Sequence, residues 1–242
     1  MIHPAAVVDP GTKLGKDVTI AAYAVIEAGV TLGDGCVVHS FADVGGPPGH
    51  VKDKGEGTAL EVGPRCTIRE YVSLHRGSKV GTGRTVIGAE CYFMTGSHVG
   101  HDCRLGDGVV LTNGAMLGGH AEVGDFAIFG GGSALHQYGR VGTMAMVGGG
   151  SMVVQDVPPY CTAEGNRVRL VGLNKIGLER RGVPAESIKA LRNAYRLLFR
   201  TAGTRVDLLA RARAEFGGVK EVVHFLDFIA ASKRGVARHG RD

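Results

Sequence analysis

From Ile87 to Val153 every sixth residue is apolar: Ile87, Phe93, Val99, Leu105, Leu111, Leu117, Val123, Phe129, Leu135, Val141, Val147 and Val153. A period of six matches neither the 3.6 of an α-helix nor the 2.0 of a strand. It matches a parallel β-helix, in which each hexapeptide forms one short flat side and three complete a triangular coil. The apolar residue then points into the prism. Glycine follows it at Gly88, Gly100, Gly106, Gly118, Gly124, Gly130, Gly142 and Gly148. That small residue is expected to let the backbone turn a corner. An interior filled with aliphatic side chains leaves the outer surface to carry function.

The same period opens the chain at Ile2, Val8, Leu14, Ile20, Ile26, Leu32, Val38 and Val44, and returns at Val62, Ile68 and Leu74. Two polar, Gly-rich interruptions break it, read as loops at 45–61 and 75–86. Solenoid insertions map to one face, often the binding face. The pattern ends near Asp156 with VQDVPPYCTAEGN, whose paired prolines have no place in a continuing coil. Helical periodicity follows over Pro184–Thr201, Thr204–Phe216 and Val219–Ser232, and the polar tail Lys233–Asp242 reads as disordered. The predicted organisation is a left-handed parallel β-helix over 1–155 and a small helical domain over 156–242.

Composition narrows the class. Forty glycines in 242 residues without a Gly-X-Y period exclude collagen, and the strict apolar period argues against disorder. Five cysteines, an odd number with no CxxC pair, read as reduced thiols in a cytoplasmic protein. The start, MIHPAAVVDPGT, carries no signal-peptide pattern, and no stretch approaches the roughly 18 apolar residues of a membrane span. Charge is uneven: after residue 160 there are 17 Lys and Arg against 8 Asp and Glu, whereas residues 1–160 hold 11 against 15. The basic part is either a solvated helical surface or a seat for an acidic partner or phosphate. No nucleic-acid motif accompanies it, so no nucleic acid is expected.

Seven of the ten histidines (His39, His50, His75, His98, His101, His120 and His136) fall between 39 and 136, beside the two loops. With 18 residues per coil, residues i and i+18 stack about 4.8 Å apart, so His101 sits over Gly119. An imidazole that takes a proton from an attacking hydroxyl, with a backbone amide one coil away to hold an oxyanion, is suited to acyl transfer. Asp102 can fix the imidazole tautomer and steady the imidazolium. No Ser or Cys lies in a nucleophile elbow, which favours direct transfer over a covalent intermediate.

The run GSHVGHDCRLGDGVVLTNGAMLGGHAEVGDFAIFGGGSALHQYGRVG resembles the active-site half of the acyl-[acyl-carrier-protein]–UDP-N-acetylglucosamine O-acyltransferases of lipid A synthesis. So do Ile68–Gly77, Val153–Asn166, Gly172–Gly182 and Ile188–Arg200, and the resemblance covers nearly the whole chain. It implies His101 as general base, Asp102 as its partner and Gly119 as oxyanion donor. It places His75, His98, His120, His136 and Gln137 along the cleft, with Asn113 and Lys52 as further substrate-binding positions. Asn174, Arg180 and Arg181 match residues around the nucleotide, and Gly149 the position that limits acyl length, where a Gly leaves room for a long chain. It further implies a homotrimer with sites between subunits, the basic helices meeting acyl carrier protein. A related zinc-binding β-helix family uses a histidine pair five residues apart. Here the close pair is His98 and His101, so no metal or cofactor is expected.

Two positions depart from the family pattern: His50 stands where an acidic residue is usual, and Ile176 where a Glu is usual. The leading expectation is transfer of a (3-hydroxy) fatty acyl group from acyl carrier protein to a hydroxyl of UDP-N-acetylglucosamine. Two others stand beside it: the same chemistry on another amino-sugar nucleotide or small molecule, and a non-catalytic trimeric scaffold.

Overall fold

The computed structural model describes residues 1–50, 52–53 and 57–240. Three sheets form the sides of a left-handed β-helix. Strands beginning at Val7, Val25, Asp43, Ser73, His98, Met116, Ala134 and Met152 stack into one face. Those beginning at Lys13, Val30, Ala59, Arg84, Arg104, Glu122 and Arg140 form the second, and those at Thr19, Val37, Thr67, Tyr92, Val110, Ile128 and Met146 the third. All of these pairings are parallel, and His98 pairs with Met116 and Val99 with Leu117, one coil apart. The loops leave between Gly46 and Ala59 and between His75 and Arg84.

The hexad residues make the core. All twelve from Ile87 to Val153 are buried, Phe93 and Phe129 completely. Each such side chain is worth about 1.5–3 kcal/mol when removed from water, so any slip of register is strongly disfavoured. Burial is looser at the N-terminal end, where Ile2 is 48% exposed and Val8 and Leu14 are half-buried.

The corners differ from the sequence expectation. The glycine after each hexad residue is not the turning residue. The left-handed residue stands three places after the hexad residue, as at Glu90, Asp102, His120, Phe126, Tyr138 and Met144. The glycine is instead required by the close approach of neighbouring coils. A Cβ on Gly100 would lie 2.8 Å from the Gly119 nitrogen. Asp and His tolerate the left-handed region better than most non-Gly residues, so Asp102 and His120 suit their corners.

Beyond Val153 the chain does more than form three helices. Cys161–Glu164 adds in parallel to the third sheet, and Arg169–Leu173 pairs antiparallel to it. Four helices follow: α1 (Lys175–Arg180), α2 (Ala185–Arg200), α3 (Arg205–Phe216) and α4 (Lys220–Ala230). The tail also differs from expectation. Val236 and Ala237 are buried, Val236 bridges to Asp156, and His239 bridges to Leu170. Two small apolar residues, with backbone hydrogen bonds to Asp156 and Leu170, dock it against the end of the prism. Among the described residues no helix is long and apolar enough to cross a membrane.

Candidate active site

The second loop exists, in structural terms, to surround one carboxylate. Asp102 has no exposed side-chain surface. Its Oδ2 accepts from the Ser78 N–H (3.1 Å) and hydroxyl (2.7 Å), and its Oδ1 from the Thr82 N–H (2.7 Å), the Thr82 hydroxyl (2.9 Å) and the Gly83 N–H (3.1 Å). Its own N–H donates to Thr85 Oγ1 at 2.8 Å. A Cβ on Gly81 would lie 2.4 Å from the carboxylate, so only glycine lets the loop close this tightly. Burial alone would raise the Asp102 pKa. The hydrogen bonds from His101, Ser78 and Thr82 outweigh it and hold the group down at about 2, so it is ionised at neutral pH.

The sixth bond to this carboxylate comes from His101, whose Nδ1 lies 2.7 Å from Oδ2. A carboxylate can only accept, so Nδ1 carries a proton, and in the neutral imidazole Nε2 is the basic nitrogen. Nε2 faces Gly119, lying 2.7 Å from where a Cβ on that residue would be. Among the described residues the Gly119 N–H has no hydrogen-bond partner. The His101 imidazole and the Gly119 backbone therefore lie against each other one coil apart, as the 18-residue stacking implies.

The other histidines surround this pair. His120 packs edge-on to His101 (5.1 Å between ring centroids), stacks on Tyr138 (4.4 Å) and holds Nε2 3.8 Å from Asp102. Burial lowers its pKa, with Asp102 opposing. His98 accepts from or donates to the Ser73 hydroxyl at 2.7 Å and lies edge-on to His75 at 4.7 Å. Burial, reinforced by His75, pulls His98 down to about 4, and burial also lowers His75. From the first loop His50 reaches His101 edge-on at 5.7 Å, and the Lys52 N–H donates to His50 Nδ1. Ligand atoms of His101, Asp102 and His120 lie within 4.8 Å of one another, a spacing that could hold a cation. Both Asp102 oxygens, however, already carry hydrogen bonds.

Further predicted residues lie along the same face. Gln137 stands one coil beyond Gly119, and the Tyr138 N–H donates to the Gly119 carbonyl. His136 is exposed, with Nδ1 3.0 Å from the Gln137 carbonyl. Asn113 and Gly149 stand on the corner at the other side of the face that carries His98, with Gly131 between them. Met116 and Met152, 48% and 39% exposed, line that face outward.

Asn174, Arg180 and Arg181 are not brought to His101 within one chain. Asn174 caps α1, accepting from the Gly177 N–H at 3.1 Å and donating to the Met144 carbonyl at 2.9 Å. The Arg181 guanidinium stacks 3.5 Å over the Phe126 ring. Phe126 and Met144 belong to a different corner of the prism. Sequence reasoning missed Ser73, Ser78, Thr82 and Thr85, whose only signal was their place in or beside the second interruption, and Tyr138, whose only signal was its place one residue after Gln137.

A curated relative from Caulobacter vibrioides, named acyl-[acyl-carrier-protein]–UDP-N-acetylglucosamine O-acyltransferase, is 52% identical over 246 residues and covers 94% of each chain. The chain belongs to this acyltransferase family. A Thermodesulfovibrio yellowstonii protein of the same name is 41% identical, covering 98% of this chain and 99% of its own. The family model described as UDP N-acetylglucosamine O-acyltransferase, domain 2, matches residues 156–237, and the bacterial transferase hexapeptide model matches 11–46 and 84–119. Among solved structures, the UDP-N-acetylglucosamine acyltransferase of Bacteroides fragilis aligns with a TM-score of 0.93 at 34% identity, covering 98% of this chain and all of that one. That of Campylobacter jejuni aligns at 0.90 and 34%, covering 99% and 100%. These acyltransferases support the leading reading of the sequence and lend none to a different acceptor.

Proposed function

We propose that this acyltransferase moves a (3-hydroxy) fatty acyl group from acyl carrier protein to a hydroxyl of UDP-N-acetylglucosamine. The observation that supports the mechanism is His101 Nε2 lying against the backbone of Gly119, whose N–H has no hydrogen-bond partner among the described residues. Nε2 takes the proton as the acceptor oxygen attacks the thioester carbon. The carbonyl oxygen becomes an oxyanion held by the Gly119 N–H. Collapse breaks the carbon–sulfur bond, and the departing thiolate takes the proton back from His101. Asp102, ionised and fully bonded, keeps Nδ1 protonated and steadies the imidazolium between the two transfers. His75, His98, His120, His136 and Gln137 line the acceptor side, with Lys52 from the first loop. The acyl chain runs over the Met116 and Met152 face toward Asn113 and Gly149.

The nucleotide residues support a homotrimer. Asn174, Arg180 and Arg181 sit on a corner remote from their own His101, so a neighbouring chain supplies them, Arg181 binding phosphate. The basic helices offer an acidic carrier protein a complementary surface. The five thiols, free and buried, fit a cytoplasmic setting. The test is an assay with 3-hydroxyacyl carrier protein and UDP-N-acetylglucosamine, read by mass spectrometry. A nucleotide product heavier by one acyl group is expected, and its absence at enzyme-equivalent concentrations overturns the reading.

A further inference from the structure

A cleft of about 420 Å³ opens behind the catalytic corner, lined by His120, Tyr138, Arg140, Lys233, Arg234 and the carboxylates of Glu122 and Asp156. That volume is within the roughly 300–1,000 Å³ of small-molecule sites. Lys233 and Arg234 belong to the docked tail, and the fold holds them here deliberately. Just before them, the Ser232 hydroxyl donates to buried Asp156 at 2.6 Å. Just after them, the Asp156 N–H donates to the Gly235 carbonyl and the Ala237 N–H to the Asp156 carbonyl. One guanidinium N–H of Arg234 reaches the Gln137 carbonyl at 2.9 Å, leaving its others for a ligand.

The cations lining the cleft, Arg140, Lys233 and Arg234, outnumber its carboxylates, Glu122 and Asp156. Glu122 is paired with Arg140 at 3.0 Å, and Arg140 also lies over the Phe228 ring at 4.3 Å. The two Asp156 oxygens accept from the Arg140 N–H (3.0 Å) and Ser232 (2.6 Å). Among the described residues neither Lys233 nor Arg234 has an acidic partner. Asp156 accepts only from uncharged donors and offsets one of these charges, so the lining keeps an excess of one cation. Two basic side chains without a direct ion pair, beside the exposed ring of Tyr138, suit a phosphate carrying an organic group.

We propose that Lys233 and Arg234, with His120 and Tyr138 beside them, form a phosphate subsite of this enzyme. The inference rests on the reaction proposed above, in which both substrates bring phosphate: the donor a phosphodiester, the acceptor a diphosphate. Bound here, either would be held one residue from Gly119 and next to His120. Lys233 and Arg234 are binding residues and do no proton transfer.

The test is steady-state kinetics of Arg234→Ala and Lys233→Glu with each substrate varied in turn, together with calorimetric titration of inorganic pyrophosphate. Loss of a charge-assisted hydrogen bond is expected to raise one KM roughly ten- to a hundred-fold while kcat changes less than about threefold. A rise in the donor KM alone assigns the phosphodiester, and a rise in the acceptor KM alone the diphosphate. Pyrophosphate binding should weaken in both variants relative to the unaltered enzyme. Lys233→Glu leaves the Gln137 contact intact, so it separates ligand binding from tail packing. Both KM values within twofold of the unaltered enzyme, with unchanged pyrophosphate binding, overturn the subsite. Lack of transfer by the unaltered enzyme instead overturns the reaction, and the pyrophosphate difference still decides the subsite.

Discussion

His101 Nδ1 and Asp102 Oδ2 lie 2.7 Å apart on consecutive residues of one left-handed corner. Adjacent side chains on a strand point to opposite faces, so this contact needs the corner. The turn puts base and partner side by side, and the second loop closes over the partner.

Asp102→Asn keeps the shape but removes the charge. Turnover is expected to fall roughly 10²–10⁴-fold, because the imidazole loses its tautomer control. The same substitution changes acid stability. The folded pKa of about 2 lies below the ordinary 3.8, so the carboxylate stabilises the fold fully above about pH 4 and loses this as pH falls through 2. Urea denaturation between pH 5 and pH 2 should show the unaltered protein losing on the order of 2 kcal/mol more than the variant. Parallel pH curves would count against the buried ionised carboxylate.

Gly119→Ala places a methyl 2.7 Å from His101 Nε2. The imidazole must move, so kcat is expected to drop at least about a hundredfold. Gly119 stands at an intermediate-exposure corner, so the melting temperature should change by only a few degrees. A normal kcat would mean that base and amide do not share a substrate.

Burial keeps His98 neutral down to about pH 4. A histidine whose folded pKa is depressed resists protonation that the unfolded chain accepts, so acidifying from about 6.5 toward 4 destabilises the fold. His98→Asn should lessen the fall in the denaturation midpoint between pH 7 and pH 4.5. An unchanged fall would place His98 in a more solvated setting.

Two separately impaired chains should complement each other. His101→Ala removes the base, and Arg181→Ala removes a phosphate contact worth roughly ten- to a hundred-fold. Co-expressed, they are expected to recover activity, since some sites would pair an intact His101 with an intact Arg181 from a neighbour. No recovery in isolated mixed oligomers would place both residues in one chain's site.

Much of this was legible because the hexad period is a direct record of which side chains face inward. Coil length then followed, and with it the stacking of His101 on Gly119. The period says nothing about chain outside it. The caging of Asp102 by Ser78 and Thr82 depends on how the second loop folds back across the coil, which no local pattern encodes. The six residues of α1 are too short for helical periodicity to stand out. The tail is mostly polar, and its docking rests on Val236 and Ala237 finding the end of the prism. The role of the corner glycines was misread because crowding between coils is invisible one coil at a time.

The most direct test of the central claim is single-turnover acyl transfer by His101→Ala with both substrates saturating. If His101 is the general base, the chemical step should slow by about 10²–10⁴-fold while both substrates still bind. A chemical step within about tenfold of the unaltered enzyme would contradict it and move the base to another histidine of the cluster.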